Sequence, residues 1–251
     1  MKLGLIGAGN MASALARGIG EPVLVADAVP DKAAALAAAM GGEALGSNAE
    51  VAERADAVVL CHKPAQLGEV AEQVGGRAKA VVSILAATRI ADVEGAYPGV
   101  PVYRFIPNIP VEVRRGVLCY APGTLAGEGP EGEILELMGR VGTVIPLDEP
   151  LIEPAMAIMS CGPAFFALIA DSLSDAGARH GLGHDDAALM TVETMLGTAA
   201  YLRAHGLDAR ALMEKVATPG GATERGLRTL AAHGLPAALA AAVDSVVEGA
   251  R

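Results

Sequence analysis

Residues 3–12 read Leu-Gly-Leu-Ile-Gly-Ala-Gly-Asn-Met-Ala, an apolar run that gives way to small residues at fixed offsets and then to a helix-forming stretch. The apolar part reads as a buried strand. Gly7 permits a tight turn, Gly9 lets a ligand approach the backbone, and Ala12 lets the next helix pack closely on the strand. A G-x-G-x-x-A string set between a strand and a helix is a dinucleotide fingerprint, and the strand–turn–helix context gives it its weight. The helix start offers N–H groups and partial positive charge to a pyrophosphate. Gly7, Ala8, Gly9, Asn10 and Met11 are therefore read as cofactor contacts. Asp27 follows the next apolar run, Pro22–Ala26, where an acidic ribose partner is expected ~20 residues beyond the fingerprint. Its carboxylate accepts from a ribose 2′-hydroxyl and repels a 2′-phosphate. No Arg follows closely and Lys32 is the nearest cation, so charge favours NADH over NADPH. The competing role for Asp27 is a cap on the helix opened by Pro30.

Lys2–Ile6, Pro22–Ala26, Ala57–Leu60, Lys79–Ile84 and Val102–Phe105 read as five strands, with shorter ones at Val117–Tyr120 and Val144–Pro146. Helices are expected over Met11–Ile19, Pro30–Met40, Asn48–Arg54 and Ala65–Val74. Continuous apolar strands alternating with helices indicate a doubly wound, parallel α/β sheet. The character changes near Pro146–Pro154, after which alanine-rich helical patterns replace strands. The chain thus divides into a Rossmann domain, residues 1–150, and an all-helical domain, residues 151–251. Pro163–His180 is apolar around most of its circumference, as in a helix packed between neighbours or against a second subunit. Asp185–His205 sets Leu189, Val192, Leu196 and Ala199 on one face and stops at Gly206.

The net charge of −10 and the absence of Trp argue against a nucleic-acid surface, which needs a basic face and stacking aromatics. Gly, Pro and charge interrupt the apolar stretches short of the ~20 residues a membrane span needs. No charged, apolar and cleavable leader opens the sequence. Cys61, Cys119 and Cys161 are an odd number without a C-x-x-C pair, and the histidines lack H-E-x-x-H spacing. Neither a disulfide framework nor a metal site is expected, and a reducing cytoplasm suits the chain.

Six motifs in order, G-A-G-N-M (7–11), K-P (63–64), V-V-S-I (81–84), R-x-x-P-N-x-P (104–110), C-G-P-A-F (161–165) and P-G-G-A-T (219–223), resemble the pyrroline-5-carboxylate reductases along nearly the whole chain. The resemblance implies reduction of 1-pyrroline-5-carboxylate to L-proline with NAD(P)H, the last step of proline biosynthesis. It implies a Rossmann domain followed by a helical dimerisation domain, assembled as a homodimer or a ring of dimers. Thr223 matches the family threonine that contacts substrate and is assigned the ring nitrogen; the alternative is a helix N-cap. Thr218, Gly220, Gly221 and Ala222 form a Gly-rich turn opening a helix, suited to holding the substrate carboxylate by backbone N–H groups. Lys63, Pro64 and Asn108 match loops around the nicotinamide, Asn108 being counted with substrate and cofactor alike; otherwise Lys63 is a solvated loop lysine and Asn108 a turn residue.

Three places depart from the family pattern. Met159-Ser160-Cys161 replaces a small polar stretch, Ile109 replaces a threonine, and Glu224 stands where an aliphatic residue is common. Pointing inward, Glu224 would repel the substrate carboxylate; pointing outward, it is ordinary first-turn chemistry. The same features resemble the divergent ComER-like late competence branch, which implies a dinucleotide-binding protein with altered or lost turnover. A third class, acting on β-hydroxyacids, wants a helix lysine after the domain junction. Lys215 is the only lysine there and lies outside any matching motif.

Overall fold

The computed structural model describes residues 1–249. In chain order the larger elements are β1 (Leu3–Ile6), α1 (Asn10–Ile19), β2 (Leu24–Ala26), α2 (Pro30–Met40), β3 (Glu43–Ala44), α3 (Asn48–Arg54), β4 (Ala57–Leu60), α4 (Leu67–Val74), β5 (Val81–Ser83), α5 (Ile90–Ala96), β6 (Val102–Pro107), β7 (Gly116–Pro122), α6 (Glu131–Gly139) and β8 (Gly142–Pro146). Six helices follow: α7 (Ile152–Met159), α8 (Gly162–Arg179), α9 (His184–Ala204), α10 (Ala209–Val216), α11 (Ala222–Ala232) and α12 (Leu235–Gly249). Two compact units result, Met1–Pro163 and Ala164–Gly249 among the described residues.

The first unit is one sheet in the order β3-β2-β1-β4-β5-β6-β7-β8. Successive strand residues feed opposite faces. Val59 and Val82 join α1, α2 and α6 in one core, whereas Val58, Leu60 and Val81 join α3, α4 and α5 in the other. Burial on both faces is why these strands read as unbroken apolar runs. The strand order reverses between β1 and β4, and the fingerprint turn follows β1. A crevice at such a reversal, outside the carboxyl ends of the strands, is where open α/β sheets bind ligands.

The sheet is not wholly parallel, which corrects the expectation. β7 runs antiparallel to β6 with Phe105 opposite Tyr120. The connection between them holds only a short 3-10 segment, Ile109–Val113, too brief for the crossover that a parallel neighbour requires. The parallel pairing of β7 and β8 is restored by α6. β3 escaped the sequence reading because it is two residues long and exposed, with no apolar pattern to see.

α7 packs with the sheet unit. Ile152 and Met159 share a core cluster with Ile90, Ile106 and Cys119. Beneath it lies Arg104, fully buried on β6, whose Nη1 donates to Glu149 Oε1 at 2.8 Å and Nη2 to Glu153 Oε1 at 3.4 Å. Glu149 Oε1 also accepts from the Ile90 amide at 2.6 Å. A buried guanidinium is tolerated only when paired in this way, so the cluster pins the segment around α7 to β6 and α5.

The second unit buries little of itself. Among its described residues only Ser174 and Ala187 are buried. Phe166, Leu168, Leu189 and Leu196 are each at least 60% exposed, so the apolar faces read from sequence are present but uncovered in one copy. The expectation that no stretch has spanning length also needs correction. Glu149–Arg179 is helical and apolar enough to cross a membrane by length and composition, with mean hydropathy 1.6 and only 17% of its best window buried. Gly162 and Pro163 fail to interrupt it because they open α8, where a helix tolerates Pro best.

Candidate functional site

Gly7 has φ +104°, and a Cβ there would stand 2.8 Å from the Cys61 carbonyl carbon and oxygen. Only glycine accepts both the left-handed backbone and that approach, and the contact sets the β1–α1 turn against the end of β4. Two residues on, nothing lies within 4 Å of a Cβ on Gly9, so the space above it is open. Gly9 is the N-cap of α1 and makes no side-chain cap bond; the first bond of the helix runs from Ser13 N to Gly9 O at 2.9 Å. The amides of Asn10, Met11 and Ala12 lie ahead of that bond, where helices leave donors unsatisfied. An anion is the natural partner for such a cluster.

Asp27 is joined to this turn directly. Its Oδ2 accepts from Ala8 N at 2.7 Å and its Oδ1 from Val29 N at 2.8 Å. Each oxygen keeps a further lone pair for a hydroxyl donor. The Ala8 amide, in contrast, is spent on Asp27 and is no longer a donor for phosphate. The bond to Val29 caps the loop ahead of α2, so Asp27 has a structural role alongside any ligand role.

At the end of β4, burial pushes the Cys61 thiol up and out of reactive range. His62 is held down chiefly by burial, with the Lys63 carbonyl opposing. Its Nδ1 lies 2.9 Å from Lys63 O, and a carbonyl only accepts, so Nδ1 carries the proton. Lys63 and Pro64 follow on an exposed loop, where Gln66 Oε1 accepts from Lys63 N at 3.2 Å.

Asn108 differs from its expected role. The residue is buried; its Nδ2 donates to Met159 O at 2.9 Å and its Oδ1 accepts from Val117 N at 2.8 Å. The amide clamps the end of α7 to β7 and stands at the end of β6, two strands beyond β4. It also explains why a methionine suits position 159: the contact uses a backbone carbonyl, which any side chain supplies.

In the helical unit, Thr218–Gly221 is a tight turn closed by Gly221 N donating to Thr218 O at 2.9 Å. Pro219 and Gly220, with φ +72° at Gly220, follow the type II pattern. Gly221 is the N-cap of α11 without a side-chain bond, so Thr223 is not the cap. Thr223 is exposed and its hydroxyl has no partner among the described residues. Glu224 takes neither disposition considered above. It folds back on the turn, where Oε2 accepts from Gly220 N at 2.7 Å and Oε1 accepts from Arg228 at 2.8 Å. One donor expected for a substrate carboxylate is therefore already occupied by a carboxylate of the chain. The Gly221 amide closes the turn on Thr218 O, so Ala222 and Thr223 keep their amides at the helix start.

The sequence reading missed a pair on neighbouring helices. Lys215 Nζ on α10 donates to Tyr201 Oη on α9 at 2.7 Å and lies 5.2 Å from the ring centroid. The Tyr201 ring stacks on His205 with centroids 4.0 Å apart. The only signal in the sequence was that Lys215 is the lone lysine after the domain junction. Among the described residues no group of three His, Cys, Asp or Glu is placed to hold a metal.

Residues 149–251 match the family model described as pyrroline-5-carboxylate reductase dimerisation, and residues 2–87 match NADP oxidoreductase coenzyme F420-dependent. Pyrroline-5-carboxylate reductase of Pseudomonas aeruginosa is 31% identical, covering 97% of this chain and 93% of its own. Pyrroline-5-carboxylate reductase 2 of Homo sapiens is 31% identical over 98% of this chain and 81% of its own. Among solved structures, the Coxiella burnetii pyrroline-5-carboxylate reductase superposes with TM-score 0.88 at 27% identity, covering 99% of this chain and 97% of that one. The Plasmodium falciparum pyrroline carboxylate reductase, solved with NADP bound, shares the fold with TM-score 0.88 at 24% identity, covering 100% and 97%.

Replacing Asn108 tests which role it has. Asn108→Ala removes two buried hydrogen bonds and leaves Met159 O and Val117 N unpaired, at a cost of about 2 kcal/mol. Urea denaturation should show that loss while dinucleotide affinity, followed by fluorescence, stays unchanged. An undiminished stability with weakened dinucleotide binding would return Asn108 to the ligand.

Proposed function

The chain belongs to the pyrroline-5-carboxylate reductase family, and we propose that it reduces 1-pyrroline-5-carboxylate to L-proline with NAD(P)H in a reducing cytoplasm. One observation carries the reading. A single chain combines an uncapped helix start behind Gly7 and Gly9 with a Gly-rich turn whose Thr223 hydroxyl is uncommitted. The open space over Gly9 and the unsatisfied amides of α1 fit a pyrophosphate.

When bound, the reduced nicotinamide supplies a hydride to the imine carbon. The residues of the chain do the rest. The amides of Asn10–Ala12 hold the diphosphate. Asp27, fixed by the Ala8 and Val29 amides, turns its remaining lone pairs to ribose hydroxyls. Thr223 hydrogen-bonds the ring nitrogen and orients the C=N bond. As the carbon gains hydride, the π pair moves to nitrogen, which bears the proton of the iminium form. No strong acid stands on the turn, because Glu224 is engaged with Gly220 and Arg228, so protonation of the substrate provides that proton.

The assay is loss of nicotinamide absorbance with racemic pyrroline-5-carboxylate and NADH or NADPH in parallel. Turnover with either supports the reductase. Binding without turnover favours the ComER-like reading. Thr223→Ala should lower kcat/KM by about 100-fold, the size of one lost donor aimed at the reacting group. Dinucleotide affinity should hold; an equal loss there would mean that Thr223 serves the cofactor or the fold.

NADH is the preferred cofactor on this reading, because the Asp27 carboxylate faces the position of a 2′-phosphate. Asp27→Ser should shift the NADPH-to-NADH ratio of kcat/KM by about tenfold towards NADPH, equivalent to ~1.4 kcal/mol. The ratio is the informative quantity, since the variant also loosens the turn at Ala8. An unchanged ratio would leave Asp27 a purely structural brace.

The exposed apolar faces of α8 and α9 are assigned to a second copy of the chain in a homodimer. Burial of such faces at roughly 25 cal/mol per Å² is what obligate dimers depend on. Sedimentation equilibrium without detergent should return twice the chain mass of 25.3 kDa. A monomer would overturn the assignment, and a species soluble only in detergent would overturn it in favour of the bilayer for Glu149–Arg179.

A further inference from the structure

The Gly-rich turn carries a negative charge that the chain itself holds in place. Glu224 is the third residue of α11, and its Oε2 reaches back to accept from Gly220 N at 2.7 Å, ahead of the helix start. Its Oε1 accepts from Arg228 Nη2 at 2.8 Å, one turn further along the helix. Arg225 Nη1 donates to Gly220 O at 2.9 Å, so both polar groups of Gly220 are bound by side chains of α11. Glu224 is the sheltered member of its ion pair, 31% exposed against 77% for Arg228. A largely solvated partner offsets the carboxylate only in part.

The turn keeps donors for a second anion in the amides of Ala222 and Thr223. Thr218 Oγ1 stands 2.5 Å from the place of a Cβ on Gly221, so its hydroxyl lies against the same helix start. These groups suit a carboxylate, yet Glu224 repels any anion placed among them. A ligand that also carries a positive ring atom recovers part of that loss, because Glu224 attracts the second charge. The sign does not depend on which ligand charge lies nearer. Adding a cation to the ring favours binding beside a fixed carboxylate in either orientation.

We propose that Glu224 is a specificity-determining residue, which makes the turn select carboxylates carried beside a positively charged ring nitrogen. The identity of the ligand as a cyclic imino acid rests on the reductase reading; the charge and its position rest on the Gly220 and Arg228 contacts. The turn thereby takes 1-pyrroline-5-carboxylate as the zwitterion, protonated at nitrogen, in preference to the imino-acid anion. That is the form in which the nitrogen already bears its proton when the π pair arrives.

The test compares two ligands by calorimetric titration of the intact chain and its variants. L-proline is a zwitterion, whereas (S)-tetrahydro-2-furoate keeps the ring size and the carboxylate with a neutral oxygen in place of the ammonium. Glu224→Gln keeps an acceptor for Gly220 N and removes the charge. It should cut the preference for L-proline over the furoate about fivefold, the size of one opposite-charge contact near a protein surface. Arg228→Met leaves the glutamate unanswered and should widen the same preference about twofold. Glu224→Met removes charge and acceptor together and should match Glu224→Gln. Far-ultraviolet circular dichroism checks that each variant is folded. A preference unmoved in Glu224→Gln, a shift of the same sign in Glu224→Gln and Arg228→Met, or a parent chain that binds neither ligand would each overturn the proposal. A change confined to Glu224→Met would make the residue a helix cap and overturn it as well. Turnover of pyrroline-5-carboxylate with an unmoved preference would leave the reductase reading standing without this role. A preference that depends on the Glu224 charge, in a parent chain without turnover, would sink the reductase reading and keep the selective turn.

Discussion

The contact between Gly7 and the end of β4 governs the nucleotide half of this protein. With φ at +104° and the Cys61 carbonyl 2.8 Å from the place of a missing Cβ, the chain turns sharply where the strand order reverses. That turn puts Ala8 within reach of Asp27, aims the start of α1 at open space, and keeps Gly9 clear. A larger residue at position 7 would push β1 from β4 and disperse these groups together. The feature works by subtraction: side chains have vacated the volume above Gly9.

The two units solve the burial problem differently. The sheet unit has two full cores, one on each face, and its single buried cation is answered by two carboxylates. The helical unit has scarcely a core, because its large apolar residues point away from one another's shelter. A unit of this kind gains stability by covering those faces with something outside itself. Its polar contacts are local in consequence. The turn at 218–221 and the Lys215–Tyr201 pair each depend on one or two helices and need no distant packing.

The turns of the candidate site were legible because they are written in backbone geometry. Gly7 and Gly220 are placed where a positive φ demands glycine, and such demands survive in the sequence as spacing. The identity of hydrogen-bond partners was less legible. Asn108 looked like a ligand residue beside prolines, yet both ends of its amide close internal bonds to Val117 and Met159. Glu224 could face either way on paper; only three dimensions put it on Gly220 N. Lys215 and Tyr201 stand fourteen residues apart, on different helices, and no motif joins them.

By itself the sequence determined the alternation of strand and helix, the fingerprint turn, the change to helices after Pro146–Pro154 and the family. These follow from periodicity, from glycine's freedom at single positions and from ordered motifs, all of which are properties of neighbouring residues. Tertiary structure decided the rest: the antiparallel return of β7, the docking of α7 on Arg104, the uncovered faces of α8 and α9, and which donors of the Gly-rich turn remain available. Those outcomes depend on how short a connection is in space and on which polar group reaches a partner first. A hydrogen bond is made within about 3 Å, and sequence separation alone says little about distance on that scale.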